Sequence, residues 1–116
     1  MQNNSYVAND AAHQNLLIPD ASSVTLDANV GWRIAHGVET IDGLNGGGNI
    51  TNVSGTQYLA GAPTLTVGAS NGNGTFAGVM ADNSLPFSFA KIGTGTQILT
   101  GVNTYTGGTT ITGGTL

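Results

Sequence analysis

Cysteine is absent from this chain. No disulfide can staple it, no thiol can act as a nucleophile, and no cysteine-based zinc site can form. Cationic charge is nearly absent as well, since Arg33 and Lys91 are the only basic residues apart from two histidines. A surface for duplex nucleic acid or for an anionic membrane needs clustered cations, so neither is an expected partner. Six acids bring the formal net charge to −4, which favours solubility and dictates no fold. Charged residues make up 7% of the sequence, against about 25% in an average globular domain. No apolar run approaches the ~18 residues of a membrane-spanning helix. Residues 1–10 lack the basic n-region and apolar h-region of a signal peptide. Secretion would need an export signal outside these residues, so the sequence reads as a piece of a longer chain.

Glycine is abundant, at 19 of 116 residues, and 39% of the residues are apolar. The apolar residues fall in short alternating runs, which argues against disorder. Val24 and Leu26 alternate with Thr25 and Asp27. Val30, Trp32 and Ile34 alternate with Gly31, Arg33 and Ala35. Leu65 and Val67 alternate with Thr64 and Thr66, and Phe87 and Phe89 flank Ser88. A period of two marks half-buried strands with one apolar and one polar face. Threonine, being β-branched, suits the pleated surface. Between these runs lie Gly46-Gly47-Gly48-Asn49, Asn71-Gly72-Asn73-Gly74, Asp82-Asn83 and Gly107-Gly108. Glycine, asparagine and aspartate turn a chain at low cost because they tolerate positive φ.

Residues 1–21 differ. They are rich in Asn, Gln and Ala and weakly patterned, with their most helix-like stretch at 10–17 and a turn at Pro19-Asp20. This segment is expected to be a cap or disordered, and residues 22–116 are expected to form one repeat region. Within that region Thr40-Ile41-Asp42-Gly43 recurs as Thr75-Phe76-Ala77-Gly78 and as Thr104-Tyr105-Thr106-Gly107, at spacings of 35 and 29 residues. Gly93-Thr94-Gly95-Thr96-Gln97-Ile98-Leu99 is echoed by Gly107-Gly108-Thr109-Thr110-Ile111-Thr112. Repeats that cannot cover their own apolar face must stack. The expected architecture is all-β, a right-handed parallel β-helix (β-solenoid) of a few rungs with a poorly patterned N-terminal segment. Its last strand-like stretch runs to Leu116. That implies an open strand edge, missing flanking coils and a tendency to edge-to-edge self-association.

The stretch from Lys91 to Leu116 resembles the autotransporter-associated β-strand repeat, also called the passenger-associated transport repeat. The resemblance rests on Lys91, Gly93, Gly95-Thr96, Leu99, Gly101, the Asn103-x-Tyr105-x-Gly107 core, Thr109, Ile111, Gly114 and Leu116. Gln97 and Gly108 depart from what the family often shows, and the sequence attaches no role to either. Residues 41–90 resemble, more loosely, sequence that precedes such a repeat. The resemblance implies structural roles for Gly93, Gly95, Asn103, Tyr105, Gly107, Thr109, Gly114 and Leu116. It also implies a passenger region of a type V secreted bacterial surface protein, displayed outside the cell and followed in its parent by an outer-membrane β-barrel translocator. It carries no catalytic residues and no cofactor.

The residues themselves offer little chemistry. Glu39 and Asp42 are the only close acid pair, and the expectation is a solvated loop or coil edge rather than a catalytic or metal-binding couple. His13 and His36 lie in unrelated contexts and are not expected to share a metal. Gly46-Gly47-Gly48-Asn49-Ile50 lacks the acidic ligands of a calcium-binding nonapeptide. An exposed Trp beside Arg would suit a sugar or protein partner. Trp32, Arg33 and Tyr58 are therefore the candidate contacts for an extracellular glycan or a host or neighbour-cell surface, although alternation places Trp32 inward. The expected function is a structural β-helix stalk supporting secretion, folding and surface display. An adhesin or carbohydrate-binding module on the same helix is the alternative, and a polysaccharide-active enzyme ranks third.

Overall fold

The structure is a computed structural model and describes residues 6–9, 20–29, 31–34, 38–52, 62–83 and 85–116. The segments expected to be most helix-like (10–17), and His13, His36 and Tyr58, lie outside the described residues. The described residues contain twelve strands and no helix. These are β1 (Tyr6–Asn9), β2 (Val24–Leu26), β3 (Gly31–Ile34), β4 (Val38–Ile41), β5 (Leu44–Gly46) and β6 (Asn49–Asn52). The second half adds β7 (Thr64–Val67), β8 (Gly74–Phe76), β9 (Val79–Ala81), β10 (Ser88–Lys91), β11 (Gln97–Leu99) and β12 (Thr109–Ile111).

The strands form three four-stranded sheets, ordered β1-β3-β6-β9, β2-β5-β8-β11 and β4-β7-β10-β12. Every pairing between them is parallel. From β4 to β11 the chain visits the third, second and first sheets in turn, and β12 returns to the third, so successive rungs stack into a β-solenoid. The expected parallel β-solenoid is therefore what the chain forms. β1 lies within residues 1–21 and pairs with β3, so the first sheet reaches into the N-terminal segment.

Alternation decides which side chains enter the coil. On the first sheet Trp32, Ile50 and Met80 are register partners and all are fully buried, while Arg33 between Trp32 and Ile34 points out. On the third sheet Ile41 and Val67 form one inward row, and Leu65 and Phe89 another. On the second, Leu26, Phe76 and the half-buried Leu99 line up around Gly46. Each fully buried side chain of this size contributes about 1.5–3 kcal/mol by leaving water. No rung can collect that gain alone, because its inward row is covered only by the rungs above and below.

The sequence echoes at spacings of 35 and 29 residues do not mark the rungs. Ile41 lies on the third sheet, Phe76 on the second, and Tyr105 follows the strands of the first. The motif marks a local task instead, an inward apolar residue followed by a corner glycine. True rung lengths vary from 18 residues (Gly31 to Asn49) to 30 (Asn49 to Val79). A fixed period cannot detect a coil whose corners differ that much in length.

Candidate functional site

The part of the chain with the strongest sequence signature is also the part that reaches furthest into its neighbours. Its contacts follow from what a parallel stack leaves unsatisfied. At each corner the ladder breaks, and main-chain N–H groups lose their partners. Asn and Asp side chains, short and ending in an acceptor, can supply one from the next rung.

They do so at several of the described corners, while others close with main-chain bonds such as Thr100 N–H to Phe76 O and Thr112 N–H to Lys91 O. Asp42 Oδ1 accepts from Ser70 N–H at 2.7 Å and Gly72 N–H at 2.8 Å. Asn71 Oδ1 accepts from Thr94 N–H at 2.9 Å, and Asn73 Oδ1 from Thr96 N–H at 2.7 Å. Asn103 Oδ1 accepts from Met80 N–H at 2.9 Å. Asp82 Oδ1 accepts from Phe87 N–H at 2.7 Å and Thr106 N–H at 3.1 Å, and Oδ2 from the Thr106 hydroxyl at 2.5 Å.

Gln97 makes the longest reach. It is 1% exposed. Its Oε1 accepts from Leu44 N–H at 3.0 Å, and its Nε2 donates to Leu44 O at 2.8 Å. Leu44 lies two rungs away, beyond Gly74, which is the direct register partner of Gln97. The cause is a defect in the ladder. β5 and β8 pair only at Gly46 and Phe76. Carrying that register back two residues would have Thr75 N–H donate to Leu44 O. Thr75 N–H instead donates to Asn45 Oδ1 at 3.1 Å, and both polar groups of Leu44 turn to Gln97. Gly74 opens the path, for a Cβ there would sit 2.4 Å from Leu44 O and 2.6 Å from Gln97 Oε1.

The residues singled out by the repeat resemblance fall into this frame. Asn103 ties its rung to Met80. The Tyr105 ring packs edge-on against Phe87 at a centroid distance of 6.1 Å and tilted against Phe89 at 6.4 Å. Its hydroxyl pairs with Thr109 Oγ1 at 2.6 Å. Gly107 N–H donates to Phe87 O at 2.8 Å. Gly93 and Gly114 adopt positive φ, and a Cβ on Gly95 would lie 2.2 Å from Gly72 O. These three glycines let one corner pass flush over the next. Leu116 is exposed, as is Ile111 on β12, which has a partner on one side only.

Among the described residues, two charged side chains enter the coil. Lys91 is 0% exposed, its Nζ donates to Ile92 O, and a Cβ on Gly68 or Gly114 would crowd that Nζ to 2.9 or 2.8 Å. Glu39 is buried in the row of Leu65 and Phe89. The expectation of a solvated Glu39–Asp42 pair therefore gives way. Glu39 takes an inward strand position, and Asp42, at the following corner, is occupied by two main-chain amides.

Trp32 and Arg33 occupy opposite sides of β3: the indole is in the core and Arg33 is exposed. No group of three or more His, Cys, Asp or Glu among the described residues could hold a metal ion.

Among the ionisable groups, Asp82 is displaced. The Thr106 hydroxyl, then the Phe87 amide, hold its carboxyl below the ordinary carboxylate range, with the Thr106 amide adding to them and desolvation opposing. A lowered folded-state pKa means that the contact stabilises above the unfolded value near 4 and fades as pH falls through the folded one. A carboxyl titration by NMR should therefore place Asp82 below a free aspartate. The Phe87 and Thr106 amide resonances should shift together with it, and Asp82→Asn should abolish that shared titration. Independent titration of the two amides would refute the link.

Residues 53–61, between β6 and β7, lie outside the described residues and contain Tyr58. No curated protein and no solved structure matches the chain. Residues 89–116, which include the Gln97 and Asn103 that reach into neighbouring rungs, match the family model described as the passenger-associated-transport-repeat.

Proposed function

We propose that this chain is a structural β-helix stalk segment of an autotransporter-type passenger, acting in secretion, folding and display at the bacterial surface. The observation that carries the reading is the direction of the side-chain bonds. The repeat at 89–116 does more than add a rung. Through Gln97 it closes a ladder defect two rungs upstream, and through Asn103 and Thr106 it ties down the rung of Met80 and Asp82. A segment built this way holds upstream rungs in register once it has folded itself. Stability in a stacked repeat is nearly a sum over neighbour interfaces, so a contact spanning two interfaces couples them.

The test is display. The chain is placed between an export signal and an outer-membrane barrel, and surface arrival is read by antibody binding and protease sensitivity on intact cells. Wild type should reach the surface in a protease-resistant form. Pairing Gln97→Ala with Asn103→Ala should speed protease cleavage of the displayed chain by at least about tenfold, since losing ~1.4 kcal/mol of local closure raises the open population tenfold. Equal resistance with and without these side chains would remove the proposed role of the repeat.

A further inference from the structure

Three Asn-Gly pairs occur in the chain, at Asn45-Gly46, Asn71-Gly72 and Asn73-Gly74. This dipeptide is the most reactive context for asparagine deamidation, because glycine leaves its nitrogen unshielded by a side chain. The glycine amide loses its proton and attacks the asparagine Cγ, so an N–Cγ bond forms. The Cγ–Nδ2 bond breaks and ammonia leaves. Water then opens the resulting succinimide at either carbonyl, giving aspartate or isoaspartate. No oxidant or cofactor is needed.

Both partners of that reaction are hydrogen-bonded to other groups at two of the pairs. At Asn71 the nucleophile is occupied, since Gly72 N–H donates to Asp42 Oδ1 at 2.8 Å. The electrophile is pinned, since Asn71 Oδ1 accepts from Thr94 N–H at 2.9 Å. Asn71 is also exposed and adopts φ of 65°, a left-handed conformation fixed by the corner. At Asn73 the arrangement recurs with different partners. Gly74 N–H donates to Thr96 O at 3.0 Å, and Asn73 Oδ1 accepts from Thr96 N–H at 2.7 Å. Each of these bonds crosses from one rung to another, so each exists only when the rungs are stacked.

We propose that Asn71 and Asn73 are spontaneous deamidation sites that rung stacking switches off. The unfolded chain ages at these positions and the stacked chain does not. Isoaspartate at 71 would insert a methylene into the main chain at the corner and carry the carboxylate away from Thr94 N–H. A chain that ages before it stacks therefore loses the contact that would have protected it. The inference stands on these bonds alone and does not depend on the passenger reading.

The test uses the whole chain in warm, mildly alkaline buffer, native or unfolded in urea, with peptide mapping of aspartate and isoaspartate over time. Both asparagines should convert at least about tenfold more slowly in the native chain, because only transiently opened molecules react. Asp42→Ala frees the Gly72 amide without touching Asn73. In that variant, held native, Asn71 should accelerate several-fold while Asn73 keeps its wild-type rate. Equal rates in native and unfolded wild type would overturn the proposal. So would equal acceleration of both sites in Asp42→Ala, since protection would then not reside in the named bonds.

Discussion

Replacing Gln97 with leucine destabilises the chain by about 2–6 kcal/mol, since each buried polar group left without a partner costs about 1–3 kcal/mol. Two such groups are created, the N–H and the carbonyl of Leu44, which Gln97 now satisfies at 3.0 and 2.8 Å. The leucine fills similar space, so packing loss is minor and the polar penalty dominates. Against a total of roughly 5–15 kcal/mol for a domain, the change is large. Urea unfolding should show it as a lowered midpoint, and hydrogen exchange should show it first at the Leu44 amide.

The same junction can be broken from its other side. Gly74→Ala places a methyl where Leu44 O and Gln97 Oε1 lie at 2.4 and 2.6 Å. That substitution forces the clamp open or the strands apart. The two substitutions attack one contact, so their combined effect should fall short of the sum by at least about 1 kcal/mol. Strict additivity would mean that Gly74 and Gln97 serve different purposes. A Gln97→Leu variant within about 0.5 kcal/mol of wild type, the usual range for a surface change, would show that water satisfies Leu44.

Why Gln97 was invisible beforehand has a physical answer. Period-two alternation identifies inward positions by their apolarity, and it succeeds where the inward row is apolar, as at Trp32, Ile34, Leu65, Val67 and Phe89. It fails where the coil admits a polar side chain. Glu39, Lys91 and Gln97 all take inward positions. A solenoid interior has main-chain groups facing it at corners and ladder defects, and long polar side chains can satisfy them there. Nothing in a single rung's sequence reveals that the ladder two rungs away is broken. The corners were legible for the opposite reason. Asn71, Asp82 and Gly93 each meet a demand set within a few residues, a turn or a positive φ, and residue type alone signals it. The partners of those side chains were not legible, since they depend on how rungs of unequal length come into register.

Trp32 gives the other large effect, and the choice of replacement separates two contributions. Trp32→Ala should cost about 3–5 kcal/mol, the range for truncating a buried aromatic. The indole sits at 0% exposure beside Ile50 in the inward row, so its removal leaves a cavity that a stiff stack of strands cannot collapse around. Trp32→Phe should behave very differently. The indole Nε1 is buried without a hydrogen-bond partner among the described residues, and an unsatisfied buried donor carries a penalty of about 1–3 kcal/mol. Phenylalanine removes that penalty while losing part of the ring volume, so the two terms oppose each other and the net change should stay within about 1 kcal/mol. Thermal and urea unfolding of the two variants, measured side by side, decide the matter. If Trp32→Phe proves as damaging as Trp32→Ala, the Nε1 proton has a partner in solution. If Trp32→Ala proves mild, the first sheet is not held by its inward row.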